Sequence, residues 1–446
     1  MSKTYRPWAV EQEWLLPPSL AEFVPSDHPA HLIREIVREE LDLSAITAVY
    51  ERELRGQPPY HPAMMVALLL YAYSRGLYSS RRIARACEER LDFMAVTAMQ
   101  RPDFRTVSDF RRRHLAALGE LFEQVLALCR AAGLVKLGHV ALDGTKLAAN
   151  ASRHKAMSYA GMKRREDELA AEVAGWLDRA ERADAAEDAE LGEQRGDEMP
   201  GWVKDKQRRL AKIREAKAAL EAEAEAAAPA EDRDDGPGPS SGMGDKDGPR
   251  RAADGGPPEK AQRNFTDPDS RVLKTREGFI QGYNGQIAVD GHRQVITARR
   301  LTTNGADYGA LTPLVEATAR CCGRAPKEAS GDAGFCNEAN LAALAARGIA
   351  GYLMPGRPRH GRKGDVGGRR LAPGSRMAAM ALKLRRGGHR SRYRLRKQIV
   401  EPVFGQIKAA RGFRQLHLRG FDKARQEWSL ICTVHNLEKL VTHRAA

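Results

Sequence analysis

Three acidic residues carry the chemistry for which this sequence can be read. Asp143 closes the apolar run Val140-Ala141-Leu142 and precedes Gly144. Asp332 lies within Ala329-Ser330-Gly331-Asp332-Ala333-Gly334-Phe335, and Glu401 in the basic, helix-patterned run from Arg392 to Lys408. A carboxylate at the end of a buried strand is costly to keep charged without a partner. Mg2+ is a hard ion that takes oxygen ligands, only a few of them from protein. Two such ions, about 3.5–4 Å apart, activate a water or a 3′-hydroxyl and stabilise the leaving oxygen of a phosphodiester. The expectation is that the three acids meet in space and hold divalent ions over a DNA phosphate. Each has a duller reading. Aspartate is common in glycine-containing turns. Glu401 precedes Pro402, which in a helical pattern signals a kink or a helix start.

The elements that must position these acids follow from periodicity and punctuation. Helical patterns run from His28 to Leu41, from His61-Pro62 to a stop at Arg75-Gly76, from Ser79 onward, and from Asp103 to about Ala132. Short helices with surface arginines fit a helix-turn-helix-like DNA-binding module; an ordinary helical domain fits equally. A strand, Val140 to Leu142, ends on Asp143 and a glycine turn. Met162 to Leu191 and Trp202 to Ala228 are rich in Ala, Glu and Arg and read as two long helices broken at Gly196-Gly201, an antiparallel hairpin. Pro229 to Gln262 reads as a disordered linker. Strands then follow at Tyr283–Val289 and Gln294–Ala298, a helix at Tyr308–Ala319, a strand at Glu328–Ser330, a helix from Asn337 to Gly348 and a strand at Ile349–Met354. A basic Gly/Pro/Arg stretch runs from Pro355 to about Gly388 before the Glu401 helix and a closing helix, Lys423 to Leu440. This order predicts a mixed sheet with the ends of its first and fourth strands adjacent, and a later helix bringing Glu401 to that edge.

The bulk numbers point the same way. Lys+Arg is 73 against Asp+Glu 58, a formal charge of +15. That excess favours polyanions, nucleic acid first and an anionic membrane surface second. From Arg357 to Lys397 there are fifteen Lys/Arg and one acid, a stretch suited to phosphate. The six cysteines form no CxxC pair and read as reduced thiols of a cytoplasmic protein; Cys321-Cys322 reads as inert. The longest apolar run, Ala63 to Tyr73, is too short to span a bilayer, which needs about 20 residues. His435-Asn436 reads as structural, and Asp267-Pro268-Asp269 as a turn.

Four motifs in this order give a resemblance: Ala141-Leu142-Asp143-Gly144-Thr145, Gly282-Tyr283-Asn284-Gly285-Gln286, Gly331-Asp332-Ala333-Gly334-Phe335, and Val400-Glu401-Pro402-Val403-Phe404-Gly405-Gln406-Ile407-Lys408. With Arg105-Thr106-Val107-Ser108-Asp109-Phe110-Arg111, they resemble the DDE transposases of bacterial insertion sequences, most closely the group numbered eleven-eighty-two, over nearly the whole chain. The resemblance implies an α/β, RNase H-like catalytic domain (138–152 and 263–413) with a mixed sheet. An all-α N-terminal DNA-binding domain (1–137) would precede it. A helical-hairpin insert (153–228) and a linker (229–262) would interrupt it, and a helical extension (414–446) would follow. It implies Asp143, Asp332 and Glu401 as catalytic residues and ligands of Mg2+ or Mn2+, in a homodimer that binds terminal inverted repeats and joins 3′ ends to target DNA. In the related pattern a Tyr and an Arg precede the Glu, and a Lys follows at the place of Lys408. Tyr393 and Arg396 each lie one position earlier than the strict spacing, at which Arg394 and Lys397 sit. Tyr393, Arg396, Lys397 and Lys408 are the candidate DNA contacts, or the exposed side of an amphipathic helix. The rival functions are a nuclease of the same fold, a non-catalytic DNA-binding protein derived from a transposase, and a coiled-coil interaction protein built on the hairpin.

Overall fold

The computed structural model describes residues 23–51, 58–191, 201–226, 256–275, 277–356 and 371–445. The chain starts as helices: α1 (Pro29–Glu39), α2 (Ser44–Glu51), α3 (Pro62–Ser74), α4 (Ser80–Glu89), α5 (Leu91–Thr97), α6 (Phe104–Arg113) and α7 (Leu115–Ala131). Pro62 opens α3 where a missing N–H costs nothing, and His61 Nδ1 accepts from the Ala63 N–H at 3.2 Å. Every residue of α3 from Met65 to Ser74 is buried, as befits a helix that is apolar all round. Asp103 caps α6 by accepting from the N–H groups of Arg105 and Thr106. The single helix expected from Asp103 to Ala132 is two, broken at His114.

The sheet is built on β1 (His139–Ala148). After it come β2 (Ala156–Ser158), the long helices α8 (Tyr159–Leu191) and α9 (Gly201–Ala226), then β3 (Gln262–Asn264), β4 (Arg271–Thr275), β5 (Gly278–Asp290) and β6 (Ile296–Thr302). α10 (Leu311–Cys322), β7 (Glu328–Gly331), α11 (Glu338–Ala346) and β8 (Ala350–Leu353) complete the alternation. β1 pairs antiparallel with β5 and parallel with β7; β7 pairs parallel with β8, and β5 antiparallel with β6 and β4. The order across the sheet is therefore β6–β5–β1–β7–β8. β1 does not stop at Asp143. Gly144 pairs with Gln286, Lys146 with Asn284 and Ala148 with Gly282, so the glycine read as a turn lies inside a ten-residue strand.

α8 and α9 pack on each other around a separate small core of Tyr159, Met162, Leu169, Leu210, Ile213 and Leu220. The break expected at Gly196-Gly201 falls largely outside the described residues, as does most of the linker expected at 229–262. The end of that linker is ordered: Tyr159 N–H donates to Ala261 O at 2.7 Å, and β3 pairs with β2.

Three helices remain: α12 (Arg376–Gly387), α13 (Leu395–Gly405) and α14 (Phe421–Arg444). α12 lies within the basic stretch Pro355–Gly388, where the sequence reading placed no helix. Ser375 caps it at the Ala378 N–H, and the Glu338 carboxylate accepts from the N–H groups of Arg376 and Met377. Met377, Met380 and Leu384 turn inward at helical spacing. The first part of the basic stretch, 357–370, lies outside the described residues. α14 packs on α7, α3 and β6. One hydrophobic core runs from the N-terminal helices through α14 into the sheet. No helix among the described residues is long and apolar enough to cross a membrane.

Candidate active site

Parallel pairing sets the site's geometry. Ala141 lies opposite Ser330, so two residues further along each strand Asp143 and Asp332 stand at one level. There β7 has ended and the chain turns away, with Asp332 capping a short 3-10 turn, Ala333–Phe335, through Oδ1 and the Gly334 N–H at 2.9 Å. Asp143 Oδ1 accepts from the Gly144 N–H at 2.9 Å, and its Oδ2 accepts from Arg396 Nη1 at 2.8 Å. Burial pushes the Asp143 carboxyl up to about 6. Arg396 opposes that rise, while the charges of Asp332 and Asp307 add to it.

Arg396 comes from the first turn of α13, which packs on β1 and β5 through Ile399, Val400 and Val403. Its side chain is only 13% exposed, its Nε is buried without a partner, and the Tyr393 ring lies 6.0 Å away. Burial raises the Tyr393 phenol above its ordinary range. The segment before α13 is tied to β7, because Arg392 Nε donates to Glu328 Oε2 at 2.5 Å. Glu328 in turn meets His139 Nδ1 at 2.8 Å, and His139 Nε2 meets Ser330 Oγ at 2.8 Å.

Pro402 neither ends nor starts α13; the helix continues to Gly405. A proline cannot donate to the carbonyl four residues back. That carbonyl, Gln398 O, accepts from Gln294 Nε2 at 3.0 Å instead. A π-helical turn, Gln406–Ala410, follows, and Lys408 Nζ donates to Lys146 O at 2.7 Å. Lys408 thus anchors the end of α13 to β1, and burial lowers its ammonium from the ordinary lysine value. Lys397 and Glu401 are exposed, one turn apart on α13. Among the described residues Glu401 shares no hydrogen bond or ion pair with either aspartate, and no three His, Cys, Asp or Glu side chains are grouped to hold a metal ion.

Residues that the sequence reading passed over complete the site. Asp307, in the loop after β6, accepts through Oδ1 from Asn284 Nδ2 at 2.7 Å and Gln286 Nε2 at 2.6 Å. Lys146 Nζ lies 4.0 Å from Asp307 Oδ2 and donates to Gly305 O. Burial lowers the Lys146 ammonium; Asp307, Asp332 and Asp143 oppose that. The signal available was Asn284 and Gln286, polar at strand period in the middle of a buried strand. The oxygens Asn284 Oδ1 and Gln286 Oε1 are buried without partners.

Elsewhere, Asp267 forms a turn with Ser270 and accepts from Tyr283 OH at 2.9 Å, and Asp269 accepts from the first N–H of α14 at 2.8 Å. Arg111, from the N-terminal motif, is buried and donates to Tyr73 OH, Tyr78 O and Ser80 Oγ. Arg81, Arg82 and Arg85 on α4, and Arg105, Arg112 and Arg113 on α6, are exposed. All six cysteines are free.

Residues 18–113 match the family described as Transposase domain (DUF772), and residues 376–441 match the family described as Transposase DDE domain. No curated protein and no solved structure matches the chain.

Proposed function

The chain belongs to the DDE-type insertion-sequence transposases, and from that premise we propose that it cuts DNA at the ends of its own element and joins the freed 3′ ends to target DNA. The strand order β6–β5–β1–β7–β8 is read as RNase H-like, interrupted after β1 by the α8–α9 hairpin. The catalytic unit is then 138–152 with 263–413, and 1–137 is the helical DNA-binding part. Asp143, Asp332 and Glu401 are the proposed catalytic acids and the ligands of Mg2+ or Mn2+.

The single observation that carries this reading is the pair Asp143 and Asp332, each two residues beyond the paired Ala141 and Ser330 of adjacent parallel strands, with a guanidinium already seated on one of them. The residues fit a hard cation. The donors are carboxylates, and two buried amide oxygens beside them lack partners. A divalent ion bound there supplies charge neutralisation at the phosphate and a more acidic water. The chain's own groups do the rest. Asp143 must be ionised to serve, which the Arg396 guanidinium favours. Arg396 and Tyr393 stand where a phosphate would meet a cation and a phenol. Lys397 lies exposed for the DNA backbone, and Lys408 holds the end of α13 against β1. Glu401 is exposed on the helix that carries Arg396, and the proposal requires α13 to turn it towards the aspartates when DNA and the ions bind. The exposed arginines of α4 and α6 would grip the inverted repeats, and a homodimer would hold two ends.

The test uses the purified full chain, Mg2+, DNA carrying the sequences that flank its gene, and a target plasmid. Joined products are expected, and Asp143→Asn should remove them while leaving DNA binding. Hydrolysis without joining would reassign the protein as a nuclease; binding without any cleavage would make it a DNA-binding protein only.

A further inference from the structure

The loop after β6 holds an acid that the reading above leaves without a task. Asp307 is 15% exposed at its side chain and is clamped by two amides of β5, Asn284 and Gln286. In the strand register these stand opposite Lys146 and Gly144 of β1. A Cβ built on Gly144 would lie 2.5 Å from Asp307 Oδ1. One built on Gly334 would lie 3.5 Å from Asp307 Cβ and 3.8 Å from its Oδ2. Gly144 follows Asp143, and Gly334 gives the N–H that Asp332 accepts. Asp307 therefore touches both aspartate-bearing segments: it leaves no room for a side chain at Gly144, and it is in ordinary van der Waals contact with the Gly334 position.

The clamp also leaves charge unbalanced. Oδ2 of Asp307 faces only the Lys146 ammonium, at 4.0 Å. Asn284 Oδ1 is buried without a partner and lies 3.0 Å from the Cβ position of Gly144. An unpaired buried oxygen is costly. Here it lies against Gly144, the residue that follows Asp143.

We propose that Asp307 is a positioning residue of this site: wedged between the Asp143 and Asp332 segments, it sets the gap at which those carboxylates take a divalent cation. This rests on the cation-binding reading given above. Asp307 acts through its neighbours. Its amide clamp fixes it to β5, and its bulk spaces β1 from the turn after β7.

The test is calorimetric binding of Mn2+ to the full chain without DNA, with the melting temperature of the metal-free protein measured alongside. Asp307→Asn keeps the bulk and an oxygen for the two amides and should bind Mn2+ nearly as the native chain does. Asp307→Ala removes the wedge and should bind it about 10-fold more weakly, the metal-free melting temperature reporting that each variant folds. Asp307→Glu keeps the charge but lengthens the wedge and should not restore binding. Gly144→Ala changes no charge, yet should weaken Mn2+ binding as Asp307→Ala does, because its methyl displaces Asp307. Native-like affinity in Asp307→Ala, while Asp143→Asn fails to bind, would overturn the proposal, as would a loss of about 10-fold in Asp307→Asn, which keeps the wedge. Full rescue by Asp307→Glu would also overturn it, since charge alone would then suffice. If the native chain binds no Mn2+, or Asp143→Asn binds it as the native chain does, the cation reading falls and takes the Asp307 role with it.

Discussion

Two polar interiors of this protein are built on opposite terms. Where α14 crosses the sheet, the buried side chains of Glu427, Asn436 and His435 are answered, although Trp428 Nε1 of the same helix is not. Glu427, with no exposed surface, accepts from the N–H groups of His417 and Leu418 at 2.9 and 3.0 Å, and meets His417 Nδ1 at 3.1 Å. Asn436 pairs with both the N–H and the C=O of Ile296, as a neighbouring strand would. His435 donates from Nε2 to Gln294 O and accepts at Nδ1 from Arg411. Around Asp143 the account stays open. Asn284 Oδ1, Gln286 Oε1 and Arg396 Nε are buried without partners, and burial pushes the Asp143 carboxyl up to about 6. A closed polar network fixes one arrangement. An open one beside two carboxylates is suited to charge arriving from outside.

The contrast can be broken or sharpened experimentally. The largest effect is expected at the open site: Asp143→Asn should slow cleavage of element-end DNA at least about 100-fold while the protein stays folded, as gel-resolved cleavage rates and circular dichroism would report. In the closed network the effect is on stability. Glu427→Ala leaves the part-buried N–H groups of His417 and Leu418 without their acceptor and should destabilise the fold by about 2 kcal/mol, read from denaturant midpoints. A native-like midpoint would show that α14 is not held as described.

The two interiors should also titrate in opposite directions. Burial, aided by Arg411, holds His435 down to about 3. Its folded value lies below its unfolded one, so its contribution is present above about 6.5 and is lost as pH falls towards 3. Asp143 is raised, so its contribution is present below its ordinary value near 4 and is lost as pH rises through about 6. Between those pH values Asp143→Asn should gain about 2 kcal/mol on the native chain, measured by unfolding at stepped pH. The same variant should leave the acid limb assigned to His435 in place. The smallest effect is expected on the exposed face of α13: Lys397→Ala should weaken DNA binding a few-fold and lower the slope of log affinity against log salt by about 1.

Much of the frame was legible in the sequence. The strands read at Tyr283–Val289 and Glu328–Ser330 fall within β5 and β7, the strand read at Gln294 starts two residues later, at Ile296, and the apolar pattern read from Lys423 to Leu440 falls within α14. Asp143 was found but misplaced within its element. Gly144 was read as punctuation, whereas the carboxylate of Asp307 above it leaves no room for a side chain. α12 was hidden by its arginines, although Met377, Met380 and Leu384 carry the helical period. Asp307 itself gave no local signal. Its role arises from contacts with β1, β5 and the turn after β7, and no window along the chain contains all three. Arg396 was read as a phosphate contact from its place before Glu401; its pairing with Asp143 needed the packing of α13 on β1.

Asp143 and Asp332 are proposed to form a cation site in which the Arg396 guanidinium stands in for the metal. The most direct measurement is anomalous scattering from crystals of the full chain grown with Mn2+ and element-end DNA. The account predicts Mn2+ between the two carboxylates, Arg396 withdrawn from Asp143 towards a phosphate, and Glu401 brought to the same ion. Arg396 still bonded to Asp143, with Mn2+ absent from both aspartates in the presence of bound DNA, would contradict it.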